Sequence, residues 1–412
     1  MKIRKSIIRR IILIALIMSA HNIYPQESDL LKPSDIQSQE DINIEIPQEE
    51  KRENITQINL VSVGDIMMHE EEIVSGYNAK TEKYDYHYMF KTIKSYIESA
   101  DLAIGNLEVT LAGKEKKYTG YPCFNAPDEL AYALKESGFD ILTTANNHSL
   151  DRHFYGVKKT IQLLDKLKVS HTGSFSTAKE SNEILIKEVK GTKIAFLAYT
   201  YGINGISFDK GKDFSVNLAD KAKIIKDIAK AKQLQAELIC VSIHFGDEYT
   251  REPNNKQKEM VNFLANQGVD IILGSHPHVL QPLEIRKMKT NSFEKDVVIL
   301  YSQGNFISAQ RDRYQDTSAI FNIALEKDCD TNKISIKSVS YIPTWIDLSR
   351  IGSQYHFRVV PAKKYIHLYE AKKDTLISQQ DYNKLKRSLK DVRKTLETDD
   401  MRIHEQLTVM NE

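Results

Sequence analysis

Seven polar side chains capable of metal binding or acid–base chemistry follow short apolar runs that predict strands. Each lies just past the C-terminal end of its run, and the set is Asp65, Glu108, Asn147, His148, His244, His276 and His278. In layered α/β proteins, ligand sites are built at that edge of the sheet. A single residue of this kind is usually a turn, capping or packing residue. Seven at equivalent edges favour a metal site.

The donor types in this set indicate which chemistry such a site could perform. Carboxylates, a carboxamide oxygen and imidazoles, with no thiolate, suit Mn, Fe, Zn or Ni rather than calcium or a structural zinc. Two ions about 3.5–4 Å apart can activate water and clamp the oxygens of an in-line displacement. His276 and His278 suit this arrangement, since alternate residues of an extended turn can face two neighbouring ions. His148 could stand outside the ligands and protonate a leaving oxygen.

The elements that must position these side chains alternate between strands and helices from residue 58 onward. The predicted strands are 58–63, 102–104, 139–144, a hairpin of 183–189 with 193–200, 238–243, 269–273 and 297–301. The predicted helices are 87–99, 127–138, 219–235 and 257–267. Short apolar strands interleaved with helices predict an α/β fold with buried sheets.

The N-terminus predicts export. Residues 1–24 hold five basic and no acidic residues around an apolar run at 11–20, which is the layout of a secretory signal. That run is shorter than the roughly 20 residues of a transmembrane helix, but the cleavage site is not a clean A-x-A. We therefore predict a signal peptide or N-terminal anchor and a periplasmic or otherwise extracytoplasmic location. Residues 25–57, with nine acidic residues and three prolines, predict an acidic flexible linker.

Charge composition argues against one class of partner, and the apolar pattern near the C-terminus predicts a helix. The 57 Lys+Arg and 56 Asp+Glu give a net charge of +1, and without a basic excess we expect no nucleic-acid partner. We predict one main domain at 58–345 and a C-terminal extension at 346–412. The extension contains an amphipathic helix, marked by apolar residues at helical spacing, which are Leu385, Leu389, Val392 and Leu396.

Six motifs that contain these polar residues occur in a recognisable order. They are GDIM at 64–67, NLE at 106–108, ANNHSLD at 145–151, HFGDEY at 244–249, GSHPHV at 274–279 and YSQGNF at 301–306. Together they resemble the capsule-synthesis protein family (CapA/PgsA type), which is associated with poly-γ-glutamate capsules and looks like a branch of the calcineurin-like metallophosphoesterases. The resemblance covers about residues 58–310. It implies a four-layer α/β/β/α metallophosphoesterase-like sandwich with a metal site at one edge.

The resemblance also implies a role for each residue. Glu108 would bridge two ions of Mn, Fe or Zn, or belong to a single ion. Asp65 and His278 would bind one ion, and the other would take Asn147, His244 and His276. His148 would be the catalytic acid, oriented by Asp151. Two departures from the phosphoesterase pattern stand out: Met67 replaces the histidine of Asp-x-His, and Glu108 replaces the bridging aspartate.

Two functions follow from these expectations. In the first, the chain is an exported metal-dependent hydrolase of phosphoesterase type that acts on an anionic polymer or phosphoester during surface-polymer synthesis or export. In the second, it is a non-catalytic accessory of membrane-bound polymer synthase subunits, with a vestigial or structural metal site. The pair of Asn147 and His148 favours the first, whereas Met67 favours the second. Glu248 and Tyr249 are expected beside the site, behind the ligands or in the substrate wall.

Overall fold

The computed structural model describes residues 54–289 and 294–406. The predicted signal or anchor and the linker up to residue 53 lie outside these residues. The described strands are β1 (Ile55–Ile66), β2 (Tyr77–Asn78), β3 (Lys83–Tyr84), β4 (Leu102–Leu107), β5 (Ile141–Thr143), β6 (Ser170–Thr172), β7 (Leu185–Val189), β8 (Thr192–Thr200), β9 (Leu238–His244), β10 (Ile271–Ser275), β11 (Leu283–Lys289), β12 (Glu294–Leu300), β13 (Asn305–Ile307), β14 (Thr317–Asp328), β15 (Ile334–Ile351), β16 (Gln354–Pro361) and β17 (Ile403–Glu405). The described helices are α1 (Glu70–Ser75), α2 (His87–Phe90), α3 (Lys94–Glu98), α4 (Glu129–Glu136), α5 (His153–Lys166), α6 (Lys221–Gln233), α7 (Asn255–Asn266), α8 (Ala362–Glu370) and α9 (Gln379–Thr395). None of the described helices combines the length and the apolar composition needed to cross a bilayer.

The larger sheet has a parallel half and an antiparallel half that meet at β1. Strands β1, β4, β5 and β6 run parallel, and β14, β15 and β16 continue antiparallel on the other side of β1. Residues 60–66 of β1 are all buried, as expected for a strand that is covered on both faces. Because β1, β4, β5 and β6 are parallel, their carboxyl ends lie along one edge of the sheet.

The smaller sheet repeats this design with a parallel centre and antiparallel edges. Strands β8, β9, β10 and β12 are parallel, and β7 and β11 pair antiparallel at the two edges. The predicted hairpin is β7–β8, whose turn residues Lys190 and Gly191 have φ values of 49° and 75°. Two positive φ values in a two-residue turn match the twist of the flanking strands.

The two sheets pack against each other, and helices cover their outer faces. Leu60 of β1 and Phe196 of β8 belong to the apolar cluster between the sheets. Leu130 of α4 packs on the outer face of the larger sheet, and Leu264 of α7 packs on that of the smaller sheet. Each such buried side chain contributes about 1.5–3 kcal/mol to folding. The mixed α/β fold expected from the sequence is confirmed.

One helix prediction is wrong in its continuity. Residues 87–99 form two short helices, α2 and α3, rather than one. The Thr92 hydroxyl, which lies in the break, donates a hydrogen bond to the Val359 carbonyl of β16. This hydrogen bond joins the break in the helix to a strand far along the chain. Helix α5 was not predicted, although it buries Val157, Ile161 and Leu164 at helical spacing.

The end of the chain completes the larger sheet. The domain boundary predicted at 345/346 falls inside β15, and β16 and β17 pair with that same strand. The amphipathic helix is α9, which begins after Ser378, whose side chain accepts a hydrogen bond from the Asp381 N–H. Leu385 and Leu389 of α9 pack around Trp345 of β15. The C-terminal residues thus pack on the domain that precedes them.

Candidate metal centre

The carboxyl ends of parallel strands in both sheets bring polar side chains to one place. Asp65 lies near the end of β1, and Glu108 follows β4, its parallel neighbour. In the smaller sheet, His244 is the last residue of β9, and His276 directly follows β10, which is the parallel neighbour of β9. The imidazole Nε2 of His244 lies 3.4 Å from the Glu108 carboxylate, so the edges of the two sheets meet at these residues.

Two glycines allow the backbone to close around this site. A Cβ on Gly64 would lie 1.9 Å from the carbonyl oxygen of Gly304. That carbonyl accepts a hydrogen bond from the Asp65 N–H at 2.9 Å. A Cβ on Gly274 would lie 2.0 Å from the carbonyl oxygen of Tyr301. Glycine is required at both positions because neighbouring backbone occupies the space of a side chain.

Asp65 is fully buried and is held in its ionised form. Its Oδ1 accepts a hydrogen bond from the Asn106 amide at 2.8 Å, and its Oδ2 lies 3.2 Å from Nδ1 of His278. Burial alone would raise the pKa of Asp65, but the contact with His278, the nearby His244 and the Asn106 hydrogen bond lower it to about 2. The carboxylate therefore carries a negative charge at neutral pH.

Glu108 is a fully buried carboxylate without hydrogen-bonding partners. Neither of its oxygens accepts a hydrogen bond from any residue that the structure describes. Burial and the negative charge of Asp65 raise the pKa of Glu108 to about 8. A buried polar group in this condition destabilises the fold unless something else satisfies it. A cation between the two carboxylates would do so, and the residues present therefore fit a metal.

The histidines of β9 and β10 are kept neutral, as metal ligands must be. Burial, together with the neighbouring His278 and His148, lowers the pKa of His244 to about 3. Burial and the neighbouring His244 and His278 lower the pKa of His276 to about 2. The Nδ1 atom of His276 is buried and finds no hydrogen-bond partner among the described residues.

The His-Pro-His turn is not extended, contrary to the sequence expectation. His276 has φ 100° and His278 has φ 59°, a left-handed backbone that non-glycine residues adopt at a cost of about 1–3 kcal/mol. The turn brings the two rings to a centroid distance of 5.9 Å. The His276 ring lies 4.8 Å from that of His244. The strained turn thus places both rings in the same centre.

The candidate ligand atoms fall into two groups that share Glu108. One group consists of Asp65, Glu108 and His278, and the other of Glu108, His244 and His276. Within each group the atoms lie within 4.8 Å of one another. The Asn147 carboxamide oxygen lies 2.8 Å from Nε2 of His244 and so adjoins the second group. All six predicted ligands are therefore together, in an arrangement that could hold two ions with Glu108 between them.

The predicted acid, His148, lies beside this cluster and is oriented by its predicted partner. Its Nδ1 is 2.8 Å from the Asp151 carboxylate. The Asp151 Oδ2 also accepts the Phe124 N–H at 2.6 Å, and the Phe124 ring packs edge-on against His148 at 4.6 Å. Both side chains of the pair are nearly fully buried. These contacts fix the His148 ring and occupy its Nδ1, so Nε2 is the nitrogen that could contact a substrate.

A cavity of about 260 Å³ opens beside the cluster. It is lined by Met67, His69, Tyr121, His148, Glu248, Tyr249, His278 and Gln310. Within residues 54–289 and 294–406, no lysine or arginine lines it. His148 and His278 face the same space, which is where a substrate could contact both the acid and the metal ligands.

Sequence reasoning missed several residues that support the site. The Asn305 carboxamide oxygen lies 3.0 Å from Nδ1 of His278, and the Tyr201 ring packs 4.6 Å from that of His276. The Asn204 oxygen accepts a hydrogen bond from the Asn147 amide at 3.2 Å. Asn106 and Asn305 belong to the NLE and YSQGNF motifs, so a signal for them was present. Tyr201 and Asn204 lie in a loop with no comparable signal.

The fold and the centre define a class: a mixed α/β protein whose strand ends gather three histidines and two carboxylates into one buried candidate metal centre. The profile of a family described as "Bacterial capsule synthesis protein PGA_cap" matches residues 59–310. The chain belongs to this family of bacterial capsule synthesis proteins, which confirms the resemblance drawn from the motifs.

Individual relatives agree with this assignment. The chain is 32% identical over 269 residues to the capsule biosynthesis protein CapA of Bacillus anthracis, a match covering 63% of this chain and 61% of that protein. It is 30% identical over 272 residues to the PGA biosynthesis protein CapA of Bacillus subtilis (strain 168), covering 65% and 67%. The match thus spans about two thirds or less of these relatives.

Two solved structures align with large parts of this chain at low sequence identity. A phosphatase of Mycoplasma pneumoniae aligns with a TM-score of 0.41 and 17% identity, over 70% of this chain and 94% of that chain. The NAD nucleotidase NadN of Haemophilus influenzae aligns with a TM-score of 0.44 and 12% identity, over 85% of this chain and 57% of that chain.

Proposed function

We propose that this protein is a metal-dependent hydrolase of phosphoesterase type that takes part in the synthesis or export of a capsule polymer of the poly-γ-glutamate kind. The observation that carries the proposal is the buried Glu108 carboxylate, which accepts no hydrogen bond from the described residues and is shared by two groups of potential ligands. In keeping with the motifs, we take the packed sheets and their covering helices as a four-layer α/β/β/α metallophosphoesterase-like sandwich. The substrate would be an anionic polymer or phosphoester.

The side chains around the centre divide the work of hydrolysis. One or two divalent ions of Mn, Fe or Zn would, when bound, supply a Lewis acid and an activated water. Asp65, Glu108 and His278 would hold one position, and Asn147, His244 and His276 the other. His148 would protonate the leaving oxygen through Nε2, since its Nδ1 faces Asp151. General acids of this type contribute about 10²–10⁴-fold to rate.

The place of action follows from the N-terminal sequence and the family. The basic and apolar residues of 1–24 support export to the periplasm or another extracytoplasmic compartment, with cleavage or retention as an anchor. Membrane-bound synthase subunits would be the protein partners of an exported capsule factor. Protease treatment of intact and of outer-permeabilised cells tests this location, and a chain that fractionates with the cytosol would overturn it.

A second function, a non-catalytic accessory of a polymer synthase, is favoured by one observation. Met67 occupies the place where the broader phosphoesterase motif has a histidine. Its thioether is a soft donor that suits Mn poorly. In this case the centre would hold a structural ion, and His148 would have no chemical task.

The variant His148→Asn separates the two functions. We expect unchanged metal content and a loss of about 10²–10⁴-fold in the hydrolysis of an alkyl phosphodiester, because the leaving alkoxide needs a proton. The loss should be smaller for a nitrophenyl ester, whose leaving group needs none. His171→Asn, a histidine paired with Asp165 away from the centre, is the matched control.

The same variant also reports on function in cells. Polymer output should fall when His148→Asn replaces the wild-type chain at equal protein level and metal content. Full complementation by His148→Asn would defeat the catalytic proposal and leave the accessory function.

A further inference from the structure

Glu248 lies on the solvent side of the candidate metal centre, beside two of its histidines. One of its carboxylate oxygens and one ring nitrogen each of His276 and His278 lie within 4.8 Å of one another. Both histidines are buried, whereas Glu248 is exposed. The three side chains therefore form a group that opens outward, unlike the two buried groups that share Glu108.

The backbone holds the Glu248 loop against the His-Pro-His turn. Gly246 turns the chain after β9 with φ 110°, where a Cβ would lie 2.7 Å from the Gln257 side chain. The Tyr249 N–H then donates a hydrogen bond to the Pro277 carbonyl at 2.8 Å. Tyr249 itself has φ 63°. A strained, tethered loop of this kind fixes the position of Glu248 relative to the two histidines.

The buried side chains supply few donors to one position of the centre. Asp65, Glu108 and His278 supply three donors to one position, while Mn and Fe ions commonly take more. The Nδ1 atom of His276 is buried and has no hydrogen-bond partner among the described residues. Glu248 and His278 both line the cavity beside the centre.

We propose that Glu248 is a further metal ligand, whose carboxylate binds from the solvent side the divalent transition-metal ion that Asp65, Glu108 and His278 would hold. This inference rests on the metal centre of the proposed function and adds an exposed carboxylate to it. An exposed ligand can exchange with water or substrate, whereas the buried ligands cannot move away. The alternative is that Glu248 contacts only the substrate, and a direct measurement of metal binding distinguishes the two.

The test is a Mn²⁺ titration of the full chain, followed by calorimetry and by the electron paramagnetic resonance of free Mn²⁺. Glu248→Gln should weaken Mn²⁺ binding by more than the roughly 10–100-fold that residues behind the ligands contribute, because an amide replaces a charged donor. Glu248→Asp should recover part of the affinity. Glu252→Gln, which removes another exposed carboxylate of the same loop, is the matched control and should bind like wild type.

Each outcome of the titration decides one question. A wild-type chain that binds no Mn²⁺, Zn²⁺ or Fe²⁺ would overturn the metal centre and the proposed function with it. Wild-type binding that persists unchanged in Glu248→Gln would overturn only the role of Glu248 as a ligand and assign it to substrate contact. The expected result is weakened binding in Glu248→Gln with an unchanged unfolding temperature of the metal-free chain.

Discussion

Two clusters of buried charge lie in the same domain and are balanced in different ways. In the first, the Arg358 guanidinium pairs with Asp347 at 2.6 Å and with Asp374 at 3.0 Å. In the second, the candidate metal centre, Glu108 accepts no hydrogen bond from the described residues. The first cluster contains its own cation. The second has the imidazole of His278, 3.2 Å from Asp65, as its counter-charge, and a metal ion that binds there would displace its proton.

The two clusters also differ in the backbone around them. Asp374 also accepts hydrogen bonds from the N–H groups of Leu376 and Ile377, both at 2.9 Å. The metal centre instead contains two residues with positive φ, His276 and His278. A paired charge on an unstrained backbone indicates a structural role, whereas backbone strain at buried polar residues is typical of functional sites. Burial of charge therefore does not by itself identify a site, but its combination with a strained backbone points to one.

The largest effect is expected in the structural cluster. Arg358→Ala leaves Asp347 buried without its cation, which should lower the free energy of unfolding by about 3–5 kcal/mol. Metal content of the folded fraction should not change. Urea denaturation measures the loss. Arg393→Ala, whose half-exposed guanidinium pairs with Glu405, is the control and should lose far less because water solvates both charges. Equal losses in the two variants would erase the contrast.

Removing the unpaired carboxylate should have the opposite effect on stability. Glu108→Gln should reduce metal affinity by more than the roughly 10–100-fold that residues behind the ligands contribute. In the presence of a chelator the same variant should be as stable as wild type or more stable, because a buried carboxylate has been removed. Elemental analysis measures the metal content of the variant, and thermal unfolding measures its stability. A metal-free Glu108→Gln chain that is markedly less stable would show that Glu108 supports the fold.

Proton binding provides a smaller and graded test. Burial and Asp65 raise the pKa of Glu108 to about 8. Burial opposes the charged form of His278, but Glu108 and Asp65 outweigh it and raise that pKa to about 9. At pH 7 the metal-free centre thus holds protons that an ion must displace. Metal affinity should therefore rise with pH up to about 9, by about tenfold per unit for each displaced proton.

Calorimetric titrations between pH 6.5 and 9.5 measure this slope, and buffers of different ionisation enthalpy count the protons released. Glu108→Gln should show a shallower slope, because one of the titrating groups is gone. An affinity that does not change with pH would mean that the centre is already deprotonated and resembles the Arg358 cluster more than we infer.

The candidate site was more predictable than much of the fold that carries it. Its residues follow buried parallel strands, and the carboxyl ends of such strands meet at one edge whatever the intervening loops do. This rule brought Asp65, Glu108 and His244 together without any knowledge of tertiary structure. It says nothing of Tyr201 or Asn204, because their loop is placed by packing and not by a strand.

The strands after residue 310 show the opposite case. Residues 334–337 of β15 alternate between apolar and polar, a pattern that indicates a half-buried strand. Strand β16 pairs with β15 from Thr344 to Ile351. The alternating pattern identifies a strand from neighbouring residues alone, but the sheet to which that strand belongs depends on distant residues. That pairing depends on β14 lying beside β1, which no short-range pattern contains. The C-terminal residues were therefore taken for an extension.

The place of β1 between β4 and β14 also sets a constraint on the order of folding. Strand β4, on one side of β1, follows it closely in the sequence, whereas β14, on the other side, comes from far along the chain. During synthesis the hydrogen-bonding edge that faces β14 stays open until that late segment leaves the ribosome. Contacts of such long sequence separation slow folding, and open strand edges attract other chains. A chaperone that shields this edge during synthesis would therefore protect the protein at its most aggregation-prone stage.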